Sequence, residues 1–405
     1  MYLKVLFISS QFPIETRSSN IYTDLAESLL ANGHKVKVIV SEEKKNIKKT
    51  TLLKERKMDV LRVKCGNMYE VGFIEKALTF LTVSNQLITA LKKYWSKEKF
   101  DLILFSAPPV TFNKVVKWAM NKYNCPSYLM MKDIFPQNGV DIGLYTKKHP
   151  AYIYFKREAN KLYKVSSKIG CMSNRNIEYL NKMENVPLEK LELFPNTVKI
   201  REHNKITKEI KNSIRKKYGF NDTDVIAVFG GNFGRPQGLD FLLDVIEEYK
   251  TNKTVKFLLV GNGTEKTKIF NYIKEHNLKN AITRNYIPRE EYETLLASCD
   301  IGLIFLDHRF TIPNFPSKTL SYFECSLPIM AAIDENTDYG QMLDKTESGF
   351  YSIHGNIKNF KKYFNRMLND ENLRIKMGKN GRKYFENECN VEKSVKILEK
   401  YGSKQ

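Results

Sequence analysis

In Asp224-Val225-Ile226-Ala227-Val228-Phe229-Gly230-Gly231-Asn232-Phe233-Gly234 an unbroken apolar run ends abruptly in glycine. Val225 to Phe229 has the length and β-branched or aromatic content of a strand buried on both faces. Leu239 to Tyr249 then repeats its apolar residues at helical spacing. The same order recurs at Phe257-Leu258-Leu259-Val260, which runs into Gly261-Asn262-Gly263 and a further helix. Ile301 to Phe305 and Ile329 to Ala332 supply two more strands. Strands joined through helices demand a parallel sheet covered on both faces, since each crossover helix buries its apolar stripe there.

The first half of the chain reads the same way. Val5 to Ile8 is a strand, and Tyr22, Leu25, Ala26, Leu29 and Leu30 form a helical stripe closed by Gly33. Val36 to Val40, Leu102 to Phe105, Tyr128 to Met131 and Lys168 to Met172 are further strands. The two patterns meet near Phe194-Pro195-Asn196-Thr197, ahead of a charge-rich stretch from Lys199 to Lys217. The expected fold class is α/β, with two doubly wound domains in tandem, residues 1–196 and 197–382, their strand ends across a cleft.

The chain's 405 residues exceed what one core serves, which fits two domains. With 42% hydrophobic and 27% charged residues, disordered and collagen-like readings fail. The net charge of +21 is uneven: residues 1–196 carry 32 basic and 18 acidic side chains, the remainder 34 and 27. A polyanion, an anionic membrane surface or an acidic substrate suits that balance. The six cysteines, among them Cys65, Cys171 and Cys299, are too scattered for a disulfide framework, and the six histidines build no zinc site. Tyr2 to Ser10 lacks a signal peptide's cleavage pattern, and the charge-free stretch Ala77–Leu91 is too short to span a bilayer. A cytoplasmic protein is expected, with the membrane as a surface only.

Short glycine loops between strand and helix offer N–H groups to phosphate. Gly230 to Gly234 has that form, yet it is not G-x-G-x-x-G and no ribose-binding acid follows, so a dinucleotide is not expected. In Pro313-Asn314-Phe315-Pro316-Ser317-Lys318-Thr319-Leu320-Ser321-Tyr322-Phe323-Glu324, Pro316 suits a first turn and Ser317 a cap. Lys318 and Thr319 would then start a helix, as a pyrophosphate site needs. The plain alternative is a capped surface helix with a solvated lysine.

These segments, in order along most of the chain, resemble the family 4 retaining glycosyltransferases of the two-domain GT-B type, in particular those building bacterial capsule or O-antigen polysaccharide. They include Asp133-Ile134-Phe135-Pro136, Pro195-Asn196, Phe229 to Leu239, Leu258 to Gly263, Tyr286-Ile287-Pro288 and Pro316 to Pro328, and the pairing of Asp133-Ile134-Phe135-Pro136 with Pro316-Ser317-Lys318 is the most discriminating. The resemblance implies a UDP-sugar donor, a polyprenyl-linked saccharide acceptor, no metal and no cofactor. On matching positions it implies Asp133 and Lys318 as catalytic. Gly231, Asn232, Gly234, Arg235 and Gln237 would border the donor phosphates, Gly261 and Asn262 the nucleotide, and Ile287 the base. Pro316, Ser317 and Thr319 would meet the diphosphate, and Tyr322 and Glu324 follow on the same helix. A terminal helix near residues 383–405 would pack back on the first domain. The chain departs from the family where two glutamates are usual: Pro313 and Ser321 stand there. Asn232 and Gln237 replace a usual arginine and lysine, leaving Arg235 as the substitute cation and Glu324 as a candidate for the ribose.

Val71 to Trp95 reads as one helix with a broad apolar stripe, followed by Lys92, Lys93, Lys97 and Lys99. Such an element fits anionic lipid, with Trp95 inserted, or else a core helix with a solvated end. Eleven basic residues against four acids between Lys35 and Lys64 add to the basic surface. The rivals are a UDP-sugar epimerase of the same architecture and a nucleic-acid-binding protein. The latter lacks any recognised motif, and nucleic acid is not an expected partner.

Overall fold

The computed structural model describes residues 2–14, 19–68, 71–201, 207–285, 287 and 289–402. The chain forms two compact units, residues 1–199 with 390–405, and residues 200–389.

The first unit holds strands β1 (Lys4–Ser9), β2 (Lys35–Glu43), β3 (Thr51–Glu55), β4 (Met58–Cys65), β5 (Leu102–Ala107), β6 (Ser127–Met131), β7 (Lys168–Cys171) and β8 (Leu191–Leu193). Their order in the sheet is β3-β4-β2-β1-β5-β6-β7-β8, parallel throughout except for the β3–β4 hairpin. Side chains alternate between two faces along each strand, and both faces are buried. Leu6, Ile8, Ile103, Phe105 and Leu129 join one core with the helices Phe73–Trp95, Asn113–Tyr123 and Pro150–Val165. Val5, Phe7, Leu102, Leu104 and Tyr128 join the other, beneath the helices Ile21–Ala31 and Val391–Gly402. The returning segment thus begins at Asn390, while the helix Glu371–Glu388 stays with the second unit. Glu392 accepts from Ser28 and Asn32, and Tyr401 donates to Glu192 at 2.6 Å, which ties the last helix down.

The second unit holds β9 (Val225–Asn232), β10 (Val255–Asn262), β11 (Ala281–Arg284), β12 (Ile301–Phe305), β13 (Ile329–Ile333) and β14 (Gly349–Ile353), all parallel, in the order β11-β10-β9-β12-β13-β14. From β9 the chain winds one way through β10 and β11, then returns to add β12 on β9's other side. That reversal leaves a crevice beyond the carboxyl ends of β9 and β12. Among the described residues no helix is long and apolar enough to cross a membrane.

The Val71–Trp95 expectation needs correction. The helix forms, but Trp95 is 2% exposed, against Phe100 in the core, and is not an inserted aromatic. Among the described residues, the exposed large apolar side chains of this helix are instead Ile74, Leu78 and Leu81 toward its other end. Nor is the Lys35–Lys64 run a uniformly solvated basic face. Lys37 pairs with Glu98 and Asp59 at 2.7 and 3.1 Å, and buried Arg62 is held by Glu55 and Glu42.

Candidate active site at the strand ends

Beyond the switch point, β9 and β10 continue side by side into their glycine loops, with Gly231 opposite Gly261 and Asn232 opposite Asn262. Gly261 has φ +151°, and a Cβ there would lie 1.8 Å from the Gly231 carbonyl oxygen. Only glycine permits two backbones that close. The result is an exposed ledge of Gly231, Asn232 and Asn262, with Phe233 buried beneath it and donating its N–H to the Asn262 carbonyl at 2.8 Å. Gly234 is buried at the start of the short turn Arg235–Gln237. Arg235 is mostly exposed, with Glu265 at 3.6 Å.

On the other side of the crevice, β12 leads through Asp307 to the helix Lys318–Glu324. Asp307 receives both Arg309 nitrogens at 2.8 and 2.7 Å, which holds its carboxyl below the usual range despite burial. Ser317 stands just before the helix but makes no cap hydrogen bond, because its backbone is already helical; the capping expectation is not met. Pro316 accepts from the Thr319 N–H at 3.3 Å.

Lys318 crosses to the β9 side. Its Nζ donates to Gln237 Oε1 at 2.6 Å and lies 3.6 Å from the centroid of the Phe229 ring. Its Cε is 3.5 Å from where a Cβ on Gly231 would sit. The side chain keeps partial solvent contact, but crowding by protein atoms strips the ammonium of water and pushes its pKa well below the ordinary lysine value. Among the described residues no carboxylate lies within 4 Å of it. Its partners, an amide oxygen and a ring face, carry no negative charge to offset the desolvated ammonium.

Three of the anticipated donor residues have other duties in the fold. The Thr319 hydroxyl pairs with that of Tyr339 at 2.8 Å in the core. The Tyr322 hydroxyl accepts from the Gly230 N–H at 3.2 Å and faces the Val228 and Leu303 carbonyls at 3.1 and 3.2 Å. It thereby bridges β9 and β12 where their pairing stops at Gly302 and Val228. Glu324 is buried, and its carbonyl accepts from Arg382 at 2.6 Å. Ile287 is half-buried, and its neighbours Tyr286 and Pro288 lie outside the described residues. Asp222 and Asp224 flank the turn before β9, at the opposite end of the sheet, where Asn221 N–H donates to Asp224 at 2.8 Å. Among the described residues no three His, Cys, Asp or Glu side chains converge as metal ligands.

In the first unit Asp133 follows β6 and accepts from Asn138 Nδ2 at 2.6 Å. Burial outweighs that bond and raises its carboxyl to about 6. Lys132, which the sequence reading passed over, donates to Asn196 at 2.9 Å, and burial lowers it to about 7. Its signal was its place, a lysine directly before the aspartate at a strand's carboxyl end.

Residues 210–384 match the family model of the glycosyl transferases group 1. The chain is 24% identical over 253 residues to the probable glycosyltransferase WbjE of Pseudomonas aeruginosa, an alignment spanning 62% of this chain and 59% of that protein. The chain therefore spans less than two thirds of that relative's length. Among solved structures, Anabaena Alr3699/HepE in complex with UDP-glucose superposes with a TM-score of 0.73 at 14% identity over all of both chains. WaaG, a glycosyltransferase involved in lipopolysaccharide biosynthesis, gives 0.67 at 14% identity, covering 97% of this chain and 99% of its own. These likenesses establish the fold, two parallel-sheet α/β units of the kind found in solved glycosyltransferases. The stretch that matches the glycosyl transferases group 1 model, residues 210–384, contains the glycine ledge and Lys318.

Proposed function

We propose that the protein is a retaining, metal-independent glycosyltransferase that moves a sugar, of the N-acetylated amino-sugar class, from a UDP-sugar to a polyprenyl-diphosphate-linked saccharide. The product would be a bacterial surface polysaccharide of the capsule or O-antigen kind. The observation that carries this reading is Lys318, a desolvated ammonium that, among the described residues, has no carboxylate within 4 Å, beside the Gly231 backbone at a topological switch point. When the sugar leaves, negative charge builds on the departing diphosphate, and a fixed cation in a water-poor site stabilises that charge. Gly231, Asn232, Gly234 and Asn262 would let the donor approach the backbone, and Arg235 and Gln237 would border its phosphates. Pro316, Ser317 and Thr319 would lie along the diphosphate, Ile287 along the base, and Tyr322 and Glu324 would shape the pocket from below. Asp133 is the proposed catalytic carboxyl of the first unit.

The excess of basic residues before Asn196 and the exposed Ile74, Leu78 and Leu81 support peripheral attachment to the anionic inner face of a cell membrane. The deciding assay incubates the purified chain with a panel of UDP-sugars, with and without a polyprenyl-diphosphate saccharide, and with EDTA. Elongation of the acceptor that survives EDTA is expected. Conversion of the nucleotide sugar without acceptor would establish the epimerase instead.

A further inference from the structure

A groove of about 1040 Å³ runs along the first unit between the β3–β4 hairpin and the outer face of the Phe73–Trp95 helix. Neither Asp133 nor any residue of the second unit lines it. The helix wall presents Thr82, Asn85, Gln86 and Thr89, whose spacing stacks them on one face. The Thr82 and Thr89 hydroxyls spend their protons on the carbonyls of Leu78 and Asn85 at 2.8 and 2.9 Å, so toward the groove they only accept. Gln86 Oε1 is buried with no partner in the protein. Lys49, Lys64, Lys93 and Tyr94 also line it, over a floor that includes Leu52, Val63 and Ala90, and no Asp or Glu contributes. Among the described residues none of the three lysines has a carboxylate within 4 Å, whereas nearby Lys44 and Lys45 are paired with Glu75 and Glu43.

Two hydroxyls that only accept and two side-chain amides that both accept and donate suit a ligand rich in hydroxyl groups, and three ammonium groups with no carboxylate beside them, Lys64 donating only to the Lys48 carbonyl at 3.0 Å, want negative charge. One chemistry has both. We infer that the groove binds an anionic saccharide segment, a glycan chain bearing carboxylate or ester-anion groups. A lipid surface fits less well, because a flat bilayer cannot follow a concave wall, whereas a single glycan chain can lie along it. The inference rests on the proposed glycosyltransfer only in taking the ligand for part of an acceptor; binding itself needs no catalysis.

The test is calorimetric titration of the full chain at low salt with a heparin-derived tetrasaccharide, maltotetraose and inorganic polyphosphate. The tetrasaccharide is expected to bind best. The triple variant Lys49→Gln, Lys64→Gln, Lys93→Gln should weaken it at least tenfold. The double variant Asn85→Ala, Gln86→Ala should weaken it several-fold at unchanged net charge, and UDP affinity should stay the same in both. Unaltered tetrasaccharide binding by the double variant, or equal binding of polyphosphate, reduces the groove to a plain basic patch and overturns the inference. So does a triple variant that loses phosphatidylglycerol vesicles but keeps the tetrasaccharide. Tetrasaccharide binding without any sugar transfer would count against the proposed activity alone.

Discussion

Lys318 holds its ammonium 3.6 Å from the centre of the Phe229 ring, where a carboxylate would be the ordinary partner. A ring face returns at most about 2 kcal/mol to a cation, less than the several kcal/mol lost by taking that cation out of water. The proposed donor diphosphate would offset that cost.

Two substitutions separate that role from stability. Lys318→Ala is expected to lower sugar transfer at least about a hundredfold, the scale of one fixed electrostatic stabiliser. Lys318→Met keeps the contact with Phe229 and removes the uncompensated charge, so its unfolding midpoint should equal or exceed the parent's while transfer is lost. Activity within a few-fold of the parent in either variant would sink the assignment.

Tyr322→Phe removes a hydroxyl shared by Gly230, Val228 and Leu303. Buried backbone groups left without a partner should cost about 1–3 kcal/mol in denaturant unfolding. Because Gly230 leads into the ledge, UDP affinity should fall as well. A stability loss with UDP affinity intact would show that the hydroxyl serves the sheet alone.

Asp133 has a carboxyl raised to about 6, mainly by burial. A raised carboxyl favours the folded state most when protonated in both states. Its contribution is greatest below the ordinary carboxylate pKa near 4 and is lost as pH rises through 6. Asp133→Asn should therefore be the more stable protein at pH 7, by about 1–3 kcal/mol, and the advantage should shrink between pH 6 and pH 4. Unfolding curves across that window would expose the error if the difference grew toward acid.

For the membrane, the buried Trp95 moves the expected contact to the other end of its helix. Replacing Ile74, Leu78 and Leu81 with glutamine should sharply reduce co-sedimentation with phosphatidylglycerol vesicles, without loss of stability. Trp95→Phe should lower stability and leave vesicle binding unchanged. The reverse pattern would restore the tryptophan as the anchor. High salt should weaken binding of the parent, since the lysine contribution fades within about 8 Å at physiological ionic strength.

The apolar runs around Ile8, Ile103, Phe229 and Phe305 determine two parallel sheets without any help from tertiary contacts, because a strand buried on both faces has no room for polar residues. The β3–β4 hairpin escaped that reading. Lys54, Arg56, Asp59 and Arg62 look solvated in sequence, and only the fold reveals that Arg62 is neutralised in the core by Glu55 and Glu42. Glycines at 231 and 261 announce a close backbone approach, but their mutual register is a property of the paired strands. Lys318 is visible as a lysine near a helix start. That it is desolvated and held by uncharged partners depends on Phe229 and Gln237, more than eighty residues earlier in the chain. Side-chain identity and spacing are local, and sequence carries them. Which face of a helix meets solvent, and which hydroxyl is spent on backbone, as with Trp95 and Tyr322, is decided by packing between segments that are distant in sequence.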